Sequence, residues 1–328
     1  MRQSTIRTNL QSYPRPAGSY GAAMQRLSAL QAQDDGTISH LCGTTWRSQG
    51  EQTDRVIVFY HGLTSCPQQF VELSEMFYQQ GYNVFLPRMP HHGKANPLST
   101  AQTKLTAPEL AGFADETIDI AQGLGRKVIV MGLSVGGLLA TWVAQYRSDV
   151  ALVVPVAPLM WPKKLAQSWR KALPKVGRYL PNWWSWWDPV HKGDFGKPYG
   201  YPRYASRAVA ECLRLSQSVL AMARKRKAAA EKIVFMTNAN DHVVDNLVTQ
   251  ELIDHWRRAS ADNPERIEAL EFEARLRLTH DLISSFHPEQ KIELVYPTLV
   301  QIVTRALGKL APNSELLVSE SHESSVKN

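Results

Sequence analysis

An α/β fold with a mostly parallel central sheet, helices on both faces and one inserted helical, Trp-rich cap follows from three features of the sequence. Short runs rich in Val, Ile and Phe alternate with helix-period segments from Arg55 to Val156, and a further such strand begins at Lys232. That alternation suits a parallel sheet covered on both faces. One of the runs, Lys127–Met131, leads into Gly132-Leu133-Ser134-Val135-Gly136 and then into an apolar helix pattern. The alternation breaks from Ala157 to about Lys227, where prolines are frequent, no strand pattern shows and six of the nine tryptophans fall.

In chain order, residues 1–37 are a lead-in, with a short helix expected from Ala22 to Gln33 after a Pro/Gly/Ser-containing stretch. The core is expected over 38–156 and 228–310, with the cap at 157–227. An edge strand is expected within Thr37–Trp46. Arg55–Tyr60 is a buried strand ending in His61-Gly62-Leu63-Thr64. A helix from Pro67 to Gln80 carries Phe70, Leu73, Met76 and Phe77 on one face, and Asn83–Leu86 is the next strand. A loop holding His91-His92-Gly93 precedes a helix from Pro108 to Leu124. Beyond the Ser134 turn and its helix, Val150–Val156 is a strand. The sheet resumes at Lys232–Met236, followed by a helix over Asn246–Arg258 and a last strand over Leu270–Leu276. A helix over Tyr296–Leu307, with Pro297 suited to its first turn, closes the core. The polar tail, 311–328, has the composition of a disordered segment.

The net charge of +7 has a definite location. Between Trp161 and Arg214 there are eleven Lys/Arg against three Asp/Glu, and the rest of the chain is 26 against 27. A basic excess confined to one segment does not make the general basic face of a nucleic-acid binder, so none is expected. The three cysteines, Cys42, Cys66 and Cys212, are odd in number and widely spaced. They suggest neither a disulfide framework nor a zinc site, and Cys66 reads as a small buried filler. The first ten residues lack a secretory pattern and no apolar run is long enough to span a bilayer, so the expectation is a cytoplasmic protein.

A strand, a Gly-x-Ser-x-Gly turn and a helix form a nucleophile elbow, which presents Ser134 at the sheet edge. A serine hydroxyl attacks at neutral pH only when a base takes its proton and a carboxylate orients that base. Asp241 follows the strand ending near Met236, and His280 follows the last strand, so both fall at the same sheet edge in the order Ser, Asp, His. His287, beside Pro288, competes less well for the base, and Asp245 suits the cap of the next helix. For an oxyanion hole the backbone N–H groups of Val135 and Leu63 are the candidates. His61, Gly62, His92 and Trp161 are the candidate substrate-binding residues. No metal site is expected, because His61, His91 and His92 have neither a helical pair spacing nor a second carboxylate.

With these residues in place the sequence resembles the α/β-hydrolase superfamily over about residues 38–307. His61-Gly62-Leu63-Thr64 and Gly132-Leu133-Ser134-Val135-Gly136-Gly137 are similar to bacterial carboxylesterases related to monoacylglycerol lipases. Pro90-His91-His92-Gly93 resembles their Gly-His-Gly loop, with His91 where they carry glycine. The resemblance implies ester hydrolysis through an acyl-serine intermediate, without a cofactor. An apolar cap over an oxyanion site points to a medium acyl ester or a monoacylglycerol-like lipid as the substrate. Acyl transfer, thioester or peptide cleavage, and ligand binding without catalysis are alternatives on the same fold. Trp183-Trp184-Ser185-Trp186-Trp187 with its neighbouring lysines and arginines either packs the cap onto the core, which is the preferred reading, or offers a lipid-facing surface for peripheral membrane contact. Arg224–Lys227 reads as a solvated helix face.

Overall fold

The computed structural model describes residues 10–190, 199–286 and 290–308. The expectations for the tail, His287 and the first nine residues lie outside them. Helix α1 (Tyr20–Gln31) starts two residues before its expected place, because Ser19 takes the cap and its Oγ accepts from Ala22 N–H at 3.2 Å. The lead-in is tied to the core by Tyr13 and Arg15. Their N–H groups donate to Asp115 (2.8 Å) and Asp119 (2.9 Å), carboxylates that also face the buried Arg147.

Strand β1 (Thr45–Arg47) occupies only the end of the stretch expected to hold an edge strand. Next come β2 (Thr53–Tyr60), a 3₁₀ turn at Pro67–Phe70 leading into α2 (Val71–Tyr78), β3 (Asn83–Leu86) and α3 (Ala107–Leu124). A reciprocal box between Thr106 and Glu109 fixes the start of α3. Strand β4 (Gly125–Leu133), α4 (Val135–Tyr146) and β5 (Leu152–Val156) form the centre, with α4 buried along nearly its whole length. The sheet order is β1-β3-β2-β4-β5, completed by β8 (Lys232–Asn238) and β9 (Ile267–Phe272), and β1 alone is antiparallel to its neighbour. Helices α3 and α4 cover β2 and β4 on one face, while α2 and α8 (Ile292–Leu307) meet on the other. Between β8 and β9 runs α7 (Asn246–Ala259).

The segment between β5 and β8 departs from a purely helical insertion. It holds a one-turn helix α5 (Leu173–Val176), then a two-stranded antiparallel ribbon of β6 (Trp184–Trp186) and β7 (Arg203–Ala205), then the long α6 (Ser206–Ala223). The ribbon pairs residues far apart in sequence, so no local alternation announced it. Arg203 lies over the Trp184 and Trp186 rings at 4.1 and 5.4 Å from the guanidinium carbon, which holds the ribbon's aromatic face together. The tryptophans do not pack as one group: Trp161 is fully buried, but Trp169, Trp183 and Trp187 are 56%, 54% and 48% exposed. Packing of the whole cluster onto the core was therefore too broad an expectation.

Two boundaries also shift. Strand β9 ends at Phe272, and Ala274–Leu276 is a 3₁₀ turn rather than strand, because β9 pairs with β8 from Ile267 onward. Helix α8 starts at Ile292, so Pro297 lies inside it and one backbone bond to Glu293 is forgone. Cys42 and Cys66 are joined in a disulfide, which corrects the reading of Cys66 as a free filler. Cys212 is free and buried.

Candidate active site

Four strands deliver the candidate residues to one edge. The chain leaves the C-terminal ends of β2, β4, β8 and β9 into the loops carrying Leu63, Ser134, Asp241 and His280. In parallel sheets that edge is where ligands bind. Ser134 sits at φ 60°, ψ −112°, a conformation that costs a non-glycine residue free energy. The surroundings enforce it. Ser134 N–H donates to Val156 O at 3.0 Å, and its carbonyl accepts from Leu138 N–H and Leu159 N–H, each at 2.9 Å. A Cβ at Gly136 would collide with the Tyr60 carbonyl, and one at Gly132 with the Gly136 carbonyl, so the turn needs both glycines.

Asp241 is fully buried. Its Oδ1 accepts from Val243 N–H at 2.8 Å and Val244 N–H at 3.0 Å, and His280 Nδ1 donates to its Oδ2 at 2.7 Å. Burial opposes the charge, but the hydrogen bond and charge of His280 and the two backbone N–H groups hold the carboxyl below its ordinary pKa. With Nδ1 as the donor, His280 Nε2 is the ring's basic atom. It is buried and has no hydrogen-bond partner among the described residues. An oriented imidazole with a free lone pair is able to accept a proton.

The turn after β2 is fixed from both sides of Leu63. The Gly62 carbonyl lies 2.9 Å from His61 Nδ1 and accepts from Ser65 N–H at 3.1 Å. In a trans peptide the carbonyl and the following N–H point oppositely, so these contacts aim Leu63 N–H. The Leu63 carbonyl is held by His92 Nε2 (2.7 Å) and Gln102 Nε2 (3.1 Å). Val135, as the first residue of α4, has no partner for its N–H within the helix. A Cβ built on Gly62 would lie 3.9 Å from Ser134 Cβ, so the turn after β2 runs beside the serine.

His61 and His92 are wholly buried, with ring centroids 5.3 Å apart. Burial, aided by the neighbouring His92, drives His61 well below its ordinary pKa; its Nε2 accepts from Met89 N–H at 3.1 Å. Burial pushes His92 down to about 4, so the ring is neutral at pH 7 and its one N–H serves either Leu63 O or Pro90 O (2.8 Å). Both rings brace backbone, and the His61 lone pair is taken up by Met89 N–H. His91 adopts φ 65°, the left-handed conformation that glycine would take without cost.

A family model described as serine aminopeptidase, S33, matches residues 51–263. The chain belongs to that family of α/β-hydrolases. It is also 29% identical over 106 residues to a thermostable monoacylglycerol lipase of Bacillus sp. (strain H-257), a match spanning 30% of this chain and 39% of the relative. Among solved structures, the monoacylglycerol lipase of Paleococcus ferrophilus superposes with a TM-score of 0.60 at 17% identity, covering 80% of this chain and 99% of that one. A soluble variant of monoglyceride lipase from Saccharomyces cerevisiae gives 0.60 at 13% identity, covering 80% and 90%. These two likenesses concern the fold.

Within this hydrolase-family chain, Asp245 caps α7, its Oδ1 accepting from Leu247 N–H at 3.0 Å. Trp161 is buried, with its indole N–H on Leu165 O at 2.8 Å, and belongs to the core cluster. A cavity of about 360 Å³ borders His280 and is lined also by His242, Arg277 and Thr279. Three partners of the site escaped sequence reasoning. Trp187 Nε1 donates to Thr64 Oγ1 at 2.9 Å and Tyr201 N–H to Thr64 O at 2.8 Å, so the ribbon segment grips the turn after β2. Gln69 also reaches that turn, and one buried glutamine in a Pro-Gln-Gln-Phe run carries no periodic or motif signal.

Proposed function

We propose that the chain is a serine carboxylester hydrolase acting on medium acyl esters or monoacylglycerol-like lipids. Ser134 Oγ attacks the ester carbonyl carbon and passes its proton to His280 Nε2. The resulting oxyanion is held by Leu63 and Val135 N–H, and Asp241 stabilises the imidazolium. Collapse expels the alcohol, which takes the proton from His280, and leaves an acyl-serine. Water, deprotonated by His280, then releases the acid. No cofactor takes part. The observation that carries this reading is the oriented His280, bonded through Nδ1 to the buried Asp241 with Nε2 unpartnered. The substrate class rests on the lipase relative and on the His61–Thr64 and Gly132–Gly137 motifs.

The test is turnover of a p-nitrophenyl acyl ester series by wild type and Ser134→Ala, with fluorophosphonate labelling of both. Wild type is expected to label and to turn over, and the variant to do neither. Undiminished turnover in Ser134→Ala overturns the mechanism, and failure of folded wild type to label favours a ligand-binding relative instead. Ester products formed with added alcohols would mark an acyltransferase.

Peripheral contact with a lipid surface belongs to the same proposal. Trp169, Tyr179 and Trp183 are 56%, 69% and 54% exposed among the exposed Lys164, Lys171 and Lys175, a pairing of aromatic and basic groups that suits anionic headgroups. Among the described residues no helix is long and apolar enough to cross a membrane. A cytoplasmic location meets one contrary feature, since the Cys42–Cys66 disulfide suits an oxidising compartment.

A further inference from the structure

We propose that Gln69 is a positioning residue that sets the oxyanion turn and the loop of the base in register with each other. This rests on the serine-hydrolase reading above. Gln69 is 4% exposed, and its one amide group spans two loops that are otherwise carried by different strands. Its Oε1 accepts from Gly62 N–H at 2.9 Å, one residue before the Leu63 donor. Its Nε2 donates to Asp281 Oδ1 at 3.1 Å, one residue after His280, and lies 3.4 Å from Ser284 Oγ.

Each end of this bridge lands on a group that is itself fixed. At the oxyanion end, the Gly62 carbonyl is held by His61 and Ser65, so Gln69 supplies the remaining restraint on the preceding peptide. At the other end, Asp281 closes the turn that follows His280. Its Oδ1 accepts from Ile283 and Ser284 N–H at 3.3 and 3.1 Å, and its Oδ2 from Ser284 Oγ at 2.6 Å. Tyr296 OH then anchors the turn to α8 through Ile283 O at 2.6 Å. A buried amide needs partners wherever it sits. Here both partners adjoin reacting groups, so the separation of proton acceptor and oxyanion donor passes through one side chain. Small displacements at that separation are costly, since about 1 Å of misplacement costs up to about 100-fold in rate.

The experiment compares Gln69→Leu and Gln69→Glu with wild type on a soluble p-nitrophenyl ester. Turnover is expressed per site titrated by a fluorophosphonate, and thermal melts are recorded alongside. Leucine keeps the bulk but leaves Gly62 N–H and Asp281 without their bridge. We expect kcat to fall about 10- to 100-fold with KM little changed. Glutamate can still accept from Gly62 N–H, but it donates toward Asp281 only when protonated, and the neighbouring carboxylate raises its pKa. Its activity relative to wild type is expected to rise as the pH is lowered from about 8 to about 5.5. Wild-type kcat in folded Gln69→Leu overturns the proposal, as does a glutamate-to-wild-type ratio that is flat with pH. Should the leucine variant not fold, the pH profile of Gln69→Glu decides alone. A Ser134→Ala variant that keeps turnover refutes the serine-hydrolase reading instead, so the two failures are told apart.

Discussion

The loops at the sheet edge and the segment between β5 and β8 solve opposite problems. Around Ser134, Asp241 and Leu63, buried groups are hydrogen-bonded several times over, and even the strained serine is held by three backbone bonds. Across the insertion, Trp169, Tyr179, Trp183 and Val190 face solvent at 56%, 69%, 54% and 80% exposure. Rigid, over-determined backbone suits groups that must meet a transition state, where reorganisation during the reaction is lost rate. Exposed aromatic rings contribute little to the core and are available to a surface outside the chain. The two regions meet at Thr64, which the ribbon segment holds through Trp187 and Tyr201.

The contrast breaks most visibly at Asp241. Asp241→Asn is expected to preserve the fold while leaving His280 in the wrong tautomer, with kcat/KM reduced by up to about four orders of magnitude by analogy with the serine-protease case. Steady-state kinetics with a thermal melt of the same sample checks it; a variant within a few-fold of wild type removes Asp241 from the mechanism. Because the folded carboxyl lies below its ordinary pKa, its contribution to stability is present above the unfolded value of about 4 and is lost as pH falls through the folded one. The melting difference between wild type and Asp241→Asn should therefore narrow as the buffer is acidified below about pH 4.

A smaller effect is expected at the Cys42–Cys66 disulfide, which joins residues 24 apart in sequence, Cys66 lying three residues beyond Leu63 in the chain. In the chain-entropy picture such a crosslink is worth about 3 kcal/mol. Urea unfolding with and without a thiol reductant should differ by roughly that amount, and Cys42→Ser should match the reduced wild type. Equal stability in both buffers, with free thiols titrating in the oxidised sample, would show that the bond does not form and would favour the cytoplasmic expectation.

What was legible in the sequence follows from which interactions are local. Strands β2, β3, β4, β5 and β8, helices α3 and α7 and the Ser134 turn are written in short-range periodicity, a capping box and two glycines, and they lie within a few residues of where the patterns put them. Asp241 and His280 were found because each follows a strand of a parallel sheet, which fixes the edge at which they emerge, and the structure joins them at 2.7 Å. The β6–β7 ribbon, the disulfide and the Gln69 bridge all pair residues distant in sequence, and no local pattern encodes a partner. The start of α8 was missed for another reason: tertiary burial of Val295, Tyr296 and Leu299 carries a proline that propensity places at a helix's first turn.

The smallest effect sharpens the comparison from the other side. Trp169 and Trp183 are more than half exposed, so replacing both with alanine should change the stability by no more than about 0.5 kcal/mol each. Among the described residues neither side chain is hydrogen-bonded to the groups that hold Leu63, Ser134 or His280, so kcat on a soluble short-chain ester should stay at the wild-type value. Binding to vesicles containing anionic lipid should weaken, because indole rings at an interface supply apolar area while the nearby lysines supply only attraction that salt screens. Vesicle co-sedimentation at low and high salt separates these contributions: the double variant should lose the part of binding that survives high salt and keep the part that does not. If the variant sediments like wild type under both conditions, these aromatics do not face lipid. If instead it loses turnover on the soluble ester, the insertion acts on the site's geometry and the division between the two regions is drawn in the wrong place.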